Sequence, residues 1–142
     1  MIQVILGDKG SGKTKRLIDL ANEALKQEHG NIIFIDDDKR YMYDLRHEVR
    51  FVDASEYPAV HHCSAHEFLG FLCGMLSADF DLSLVAIDAF KKIVNKTELD
   101  AEEMSDFFAQ LEQLSEKHKC DFVISVSSAE SDVPEYIKKY VR

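Results

Sequence analysis

Eight residues near the start of the chain constrain its fold more than any other stretch. The run Gly7-Asp-Lys-Gly-Ser-Gly-Lys-Thr14 fits the pattern G-x-x-x-x-G-K-[ST] at every fixed position. In this pattern, glycines let consecutive backbone N–H groups turn inward around phosphate oxygens, and the next helix adds its unpaired N-terminal donors. An apolar run precedes the loop, and apolar residues recur at helical spacing after it. The stretch therefore predicts a strand, a phosphate-binding loop and a helix, in that order.

The chemistry of such a loop assigns roles to its side chains. We expect Lys13 to reach the β- and γ-phosphates of a nucleotide, which also makes it a candidate catalytic residue. We expect the Thr14 hydroxyl to ligate Mg²⁺. The predicted nucleotide-binding residues are Gly7, Asp8, Lys9, Gly10, Ser11, Gly12, Lys13, Thr14 and Lys15.

The other half of the predicted site lies at the ends of later strands. Asp88 follows a buried-strand pattern and is the predicted Mg²⁺ partner of Thr14, either directly or through water. Many P-loop ATPases place a glutamate after this aspartate, but residue 89 is alanine. We therefore expect the general base, if there is one, at Asp36 or Asp38, which end the second predicted strand. Ser127, after the last predicted strand, is the candidate sensor of the γ-phosphate.

Length, charge and composition exclude several classes of protein. With 142 residues and a net charge of −9, the chain is expected to form one domain, residues 1–142, that is not a general binder of nucleic acid or anionic membranes. Its three cysteines form no C-x-x-C pair, and the chain opens with a strand rather than a basic leader. The most apolar stretch, residues 68–78, is too short to span a bilayer. These features predict a cytoplasmic protein without a membrane insertion.

Alternating strand and helix patterns predict a three-layer α/β sandwich around a mainly parallel, roughly five-stranded sheet, the P-loop NTPase fold. Strands are expected near residues 2–6, 31–36, 49–53, 82–88 and 121–126. Helices are expected from residue 13 to about 28, ending near Gly30, from Ser64 through residue 76, and from Asp100 to about 118. The helix that follows Ser64 is apolar on most of its faces, so we expect other elements or a second copy to cover it.

Over its whole length, the chain resembles the small P-loop proteins of Firmicutes that are described as ATP-binding and sometimes labelled twitching-motility, PilT-like ATPases. Residues 1–20, 46–53, 70–76 and 134–140 carry this resemblance. It implies ATP binding at residues 7–14. Residues 34–41 and 87–90 also resemble thymidine kinases locally, although the glutamate after the aspartate and the zinc-binding cysteine pairs of those enzymes are absent.

Three functions stay open at this point. The first is an Mg-ATP-binding protein with slow or partner-stimulated hydrolysis. The second is a small-molecule kinase, in which Lys91, Lys92 and Lys96 replace the usual arginines. The third is a non-hydrolysing, nucleotide-dependent interaction module that docks a protein partner or a second copy. We expect ATP rather than GTP, because Asn95-Lys-Thr-Glu98 resembles the guanine-reading N-K-x-D but lies too near Asp88 and ends in glutamate.

Overall fold

A five-stranded sheet with only parallel pairings forms the centre of this computed structural model, which describes residues 1–27, 30–94 and 102–142. Its strands are β1 (Ile2–Gly7), β2 (Asn31–Asp36), β3 (Arg50–Asp53), β4 (Leu82–Ile87) and β5 (Asp121–Ser127). Their order across the sheet is β1-β5-β4-β2-β3. The predicted α/β class and the parallel sheet are therefore confirmed.

The strand register brings the carboxyl ends of four strands to one edge of the sheet. Gly7 of β1 lies opposite Ser127 of β5, and Ile87 of β4 lies opposite both Ile124 of β5 and Ile35 of β2. In a parallel sheet, the loops that leave this edge are the ones that carry ligand-binding residues. The loop after β1 and the residues after β2, β4 and β5 are therefore neighbours.

Helices cover both faces of the sheet. They are α1 (Lys13–Ala24), α2 (Ala65–Ala78), α3 (Phe90–Ile93), α4 (Glu102–His118) and α5 (Glu135–Lys138). On one face, α1 packs Leu17, Ile18 and Ala21 against side chains from β1, β2, β4 and β5. The other face carries the remaining helices and a cluster of phenylalanine rings with centroids 5.3 to 6.2 Å apart, formed by Phe68, Phe90, Phe107 and Phe108.

Two predictions about helices need correction. The first helix ends at Ala24, earlier than the predicted end at about residue 28. Residue 28, and Asp100 at the predicted start of the last long helix, lie outside the described residues. Gly30 is not a left-handed helix-ending residue. A Cβ on it would lie 2.2 Å from the Asp81 carbonyl oxygen, so glycine is needed for close approach at the start of β2.

The helix α2 begins as predicted, and other elements of the chain cover part of its surface. The Ser64 hydroxyl accepts from the Glu67 backbone N–H at 3.0 Å, and the Ser64 N–H donates to the Glu67 carboxylate at 2.9 Å. This reciprocal pair is the predicted capping box. One face of α2, however, carries small residues that are exposed in the monomer, namely Gly70, Cys73, Gly74 and Ser77.

Residues after α5 cover the outer edge of β1. The Val4 N–H donates to the Tyr140 carbonyl at 2.8 Å, and the Arg142 N–H donates to the Val4 carbonyl at 3.1 Å. The Tyr140 ring stacks on Phe108, and its hydroxyl donates to Glu112 at 2.6 Å. Pairing of this kind protects a strand edge from unwanted partners.

In the part of the chain that the structure describes, none of the helices has the length and apolar character needed to cross a membrane.

Candidate functional site

The loop after β1 has the conformation that the glycine pattern predicts. Gly10 and Gly12 have φ angles of 85° and 90°, in the left-handed region that favours glycine. The Ser11 N–H donates to the Asp8 carbonyl at 3.0 Å and closes the turn. Gly12 is the N-cap of α1 and offers no side-chain acceptor, so no side chain caps the first N–H groups of the helix. These donors are the groups that would bind an anion.

Lys13 is buried at the start of α1, with 8% of its surface exposed. Its Nζ donates to the Asp8 carbonyl at 2.9 Å. Burial lowers the pKa of this amine, while the negative charges of Asp88 and Asp8 oppose the shift. A cation that is poorly hydrated and held by the loop is ready to pair with a bound phosphate.

Thr14 and Asp88 meet at the carboxyl edge of the sheet, as the sequence predicted. The Thr14 hydroxyl donates to Asp88 Oδ2 at 2.9 Å. Ser125, on β5, donates to Asp88 Oδ1 at 2.6 Å and accepts from the Ala89 N–H at 3.1 Å. These bonds orient the buried Asp88 carboxylate from two sides.

Ser125 is a site residue that the sequence interpretation missed. It is 1% exposed and lies between the apolar residues Ile124 and Val126 of β5. A hydroxyl within the apolar part of the strand, two residues before the predicted sensor Ser127, was the available signal, because alternate strand residues share a face. Ala89 carries a second missed feature, since its φ of 56° is unusual for a residue other than glycine.

Asp36 has the least satisfied carboxylate of the described site. It is 2% exposed, its Oδ1 accepts from the Asp37 N–H at 2.7 Å, and its Oδ2 has no hydrogen-bond partner among the described residues. Burial raises the pKa of Asp36 to about 8, and the charge of nearby Asp88 adds to the effect. A buried acceptor without a hydrogen-bond partner destabilises the folded state, so this oxygen marks Asp36 as a candidate functional residue.

Asp38 and Ser127 occupy the rim of the same site. Asp38 Oδ1 accepts from the Arg40 N–H at 2.9 Å, so this carboxylate also holds the turn that follows β2. Ser127 lies at the end of β5, and its carbonyl accepts from Lys91 Nζ at 3.2 Å. One carboxylate oxygen from each of Asp36, Asp37 and Asp38 lies within 4.8 Å of the other two.

One continuous cavity of about 1000 Å³ joins these groups and runs on between α1 and residues 37–44. Of the predicted site residues, Gly7, Asp8 and Ser11 belong to the loop but do not line the cavity. The predicted site residues that line it are Lys9, Gly10, Gly12, Lys13, Thr14, Lys15, Asp36, Asp38, Asp88 and Ser127. The guanine-like motif at residues 95–98 lies outside the described residues.

Comparison with known proteins supports the fold. No protein-family model and no curated protein matches the chain. A crystal structure of the flagellar accessory protein FlaH from Methanocaldococcus jannaschii is similar, with a TM-score of 0.54 and 14% sequence identity over 97% of this chain and 65% of that chain. This chain thus spans less than two thirds of the FlaH chain. At this identity the likeness concerns the fold alone, and it agrees with the strand order and the loop in showing a P-loop NTPase fold.

Proposed function

We propose that this chain binds Mg-ATP and hydrolyses it slowly or on stimulation by a partner. The observation that carries the proposal is the junction of the phosphate loop with Asp88, where the Thr14 hydroxyl is 2.9 Å from the carboxylate. Lys13 and the uncapped N–H groups of α1 supply positive charge and donors for the phosphates. The resemblance to small ATP-binding P-loop proteins of Firmicutes agrees with this function.

The residues at this junction fit a magnesium ion. A hydroxyl that donates its hydrogen to Asp88 keeps its lone pairs for a cation, and Mg²⁺ prefers oxygen ligands. Thr14 would hold the ion, and Asp88 would hold it directly or through water. When bound, Mg²⁺ would supply positive charge that offsets the negative charge of the phosphates.

Asp36 is the proposed general base, because this residue lines the cavity together with Asp88 and its buried Oδ2 has no hydrogen-bond partner among the described residues. In the proposed reaction, a water oxygen forms a bond to the γ-phosphorus while the bond to the β–γ bridging oxygen breaks. The water's proton passes to Asp36 in its ionised form, which prevails above about pH 8 because burial raises the pKa of this carboxyl. Asp36 later releases the proton to solvent, and ADP and phosphate leave. Slow turnover is expected since alanine follows Asp88 and, among the described residues, Arg40 is the one arginine that lines the cavity.

Calorimetric titration with Mg-ATP tests the binding step. Wild type is expected to bind, and Lys13→Ala is expected to lose binding. Lys26→Ala, which removes an exposed lysine with an exposed glutamate partner, is the matched control and is expected to bind normally. If wild type does not bind Mg-ATP, or if Lys13→Ala binds as wild type does, the proposal is wrong.

Phosphate release, measured with and without cell extract, tests the hydrolysis step. Asp88→Asn is expected to lose the Mg²⁺ dependence, whereas Asp36→Asn is expected to keep ATP binding and lower turnover about 100-fold or more. Asp38→Asn is the neighbouring control for Asp36. Turnover that survives Asp36→Asn but is lost in Asp38→Asn would move the base to Asp38.

A small-molecule kinase is the second candidate, and the position of two lysines favours it. Lys91 and Lys92 line the cavity next to Asp88, where a lid cation would meet a transferred phosphoryl group. Transfer of phosphate from ATP to a member of a nucleoside and metabolite panel, lost in Lys91→Ala, would establish this activity in place of hydrolysis.

A further inference from the structure

We infer that the groove between α1 and residues 37–44 is the nucleoside half of the binding site, with the base stacked against Tyr41. The inference rests on the proposed function, because it assigns the rest of the same nucleotide. It identifies the ligand class as a nucleoside triphosphate rather than any phosphorylated molecule.

The shape of the cavity requires an occupant larger than phosphate groups. The phosphate loop lines one end, and the volume of about 1000 Å³ continues past Thr14 to Asn22 and Asp44. A single well-buried ligand of drug size fills about 300 to 1,000 Å³. The cavity therefore has room for a whole nucleoside triphosphate, whereas a triphosphate by itself leaves the groove empty.

The direction of the nucleotide follows from the metal residues. Thr14 and Asp88 would hold the metal, and with it the β- and γ-phosphates, at the sheet edge. The cavity continues from there along α1, so the α-phosphate and the sugar are placed in that direction. Thr14, Ile18 and Asn22 recur at four-residue spacing, so they form one ridge of this helix, and all three line the cavity. The ridge leads from the metal residues into the groove.

The charge pattern of the cavity agrees with this direction. Lys9 and Lys13 belong to the phosphate loop or the start of α1, whereas Asp44 lines the cavity next to Asn22. The Asp19 carboxylate is paired with Lys15 at 3.0 Å. The Asp44 carboxylate can accept hydrogen bonds from ribose hydroxyls and from the amino group of a base. The uncharged half of a nucleotide therefore suits the far end.

Tyr41 supplies an aromatic wall for the groove. Its ring is half-buried against the core under α1, and the Arg40 guanidinium carbon lies 5.8 Å from the ring centroid. The following segment is tied to α1, since the Asn22 side chain donates to the Asp44 carbonyl at 3.1 Å and accepts from the Arg46 N–H at 2.9 Å. A wall held in this way is preorganised for stacking.

Titration with two different ligands tests the two halves of the site independently. We would titrate wild type and variants with Mg-ATP and with inorganic tripolyphosphate plus Mg²⁺, which has no nucleoside. Tyr41→Leu, which keeps apolar packing but loses the aromatic ring, is expected to weaken ATP binding about tenfold and to leave tripolyphosphate binding unchanged. Tyr41→Phe is expected to bind both ligands normally.

Tyr43→Leu is the matched control, because this tyrosine is 89% exposed and does not line the cavity. It is expected to bind both ligands as wild type does. If Tyr41→Leu weakens both ligands equally, or neither, the inference is wrong while the phosphate site stands. If wild type binds neither ligand, the proposed function itself is wrong.

Discussion

At the residue scale, the site depends on how one carboxylate is held. Asp88 accepts from Thr14 on the phosphate-loop side and from Ser125 on the β5 side, so both of its oxygens are engaged and its orientation is defined. Ser125 also accepts from the Ala89 N–H, which supports the left-handed backbone directly after Asp88. Ser125 therefore acts as a positioning residue for a predicted metal partner.

Ser125→Ala is expected to weaken Mg²⁺-dependent nucleotide binding by about 10- to 100-fold, the range found when partners of metal-binding side chains are removed. The measurement is the Mg²⁺ concentration needed for half-maximal ATP binding. Ser83→Ala, at the opposite end of the sheet, removes a hydroxyl that donates to the Asn31 carbonyl and is the control. An unchanged Mg²⁺ requirement in Ser125→Ala would contradict the positioning role.

At the element scale, two helices begin in opposite ways. No side chain caps the first N–H groups of α1, although this helix starts beside a buried lysine and a charged cavity. The first N–H groups of α2 are satisfied by a full capping box, and its Ala65 N–H also donates to Glu103 at 2.8 Å. The donors that a ligand would need are left available, and those of a structural helix are used within the protein.

Ser64→Ala is expected to lower the free energy of unfolding by about 1 kcal/mol, because it leaves the Glu67 N–H without its acceptor. Urea unfolding measures the loss. Ser77→Ala, in the last turn of the same helix, removes only an exposed hydroxyl that donates to the Gly74 carbonyl, and it should change stability much less. Equal effects of the two substitutions would show that the cap contributes nothing special.

At the scale of the whole molecule, the strand order assembles the site from distant parts of the chain. Because β5 lies between β1 and β4, the Thr14 and Asp88 side chains meet although they are 74 residues apart in sequence. The two faces of the same sheet carry separate apolar cores. The buried thiols of Cys63 and Cys120 both lie in the core opposite α1, so their reactivity reports on opening of the fold.

Of the three cysteines, only Cys73 is expected to react quickly with a thiol reagent at about pH 8, because it alone is exposed. Burial raises the pKa of Cys63 to about 11 and that of Cys120 to about 12, from an ordinary value of 9.0. The reagent is expected to reach both buried thiols only after unfolding in urea. Fast modification of either one in the native protein would contradict the described packing.

The same shifts give the direction of a pH effect. Above about pH 9 the unfolded chain loses thiol protons that the folded chain keeps, so the unfolded state binds fewer protons and stability falls as the pH rises. A variant with Cys63→Ala and Cys120→Ala is expected to lose less stability between about pH 8 and pH 10 than wild type. An equal loss would show that other groups cause the decline.

The sequence by itself determined the glycine-rich turn after β1, the parallel α/β class, the choice of Thr14 and Asp88 as candidate site residues and the cap of α2. These features depend on local backbone conformation and on residue periodicity, which neighbouring residues specify. The sequence did not predict that α1 ends at Ala24. It also did not show why position 30 needs glycine, because the carbonyl group that a side chain there would clash with belongs to the distant Asp81.

Only the tertiary structure decided the strand order, the role of Ser125, the unpartnered oxygen of Asp36 and the groove beside Tyr41. Each depends on which strands become neighbours and on what their side chains then exclude from water. Hydrophobic burial is not directional, so a run of apolar residues predicts a buried strand without specifying its neighbours. The physical environment of a site residue is therefore set by parts of the chain that its own sequence neighbourhood does not contain.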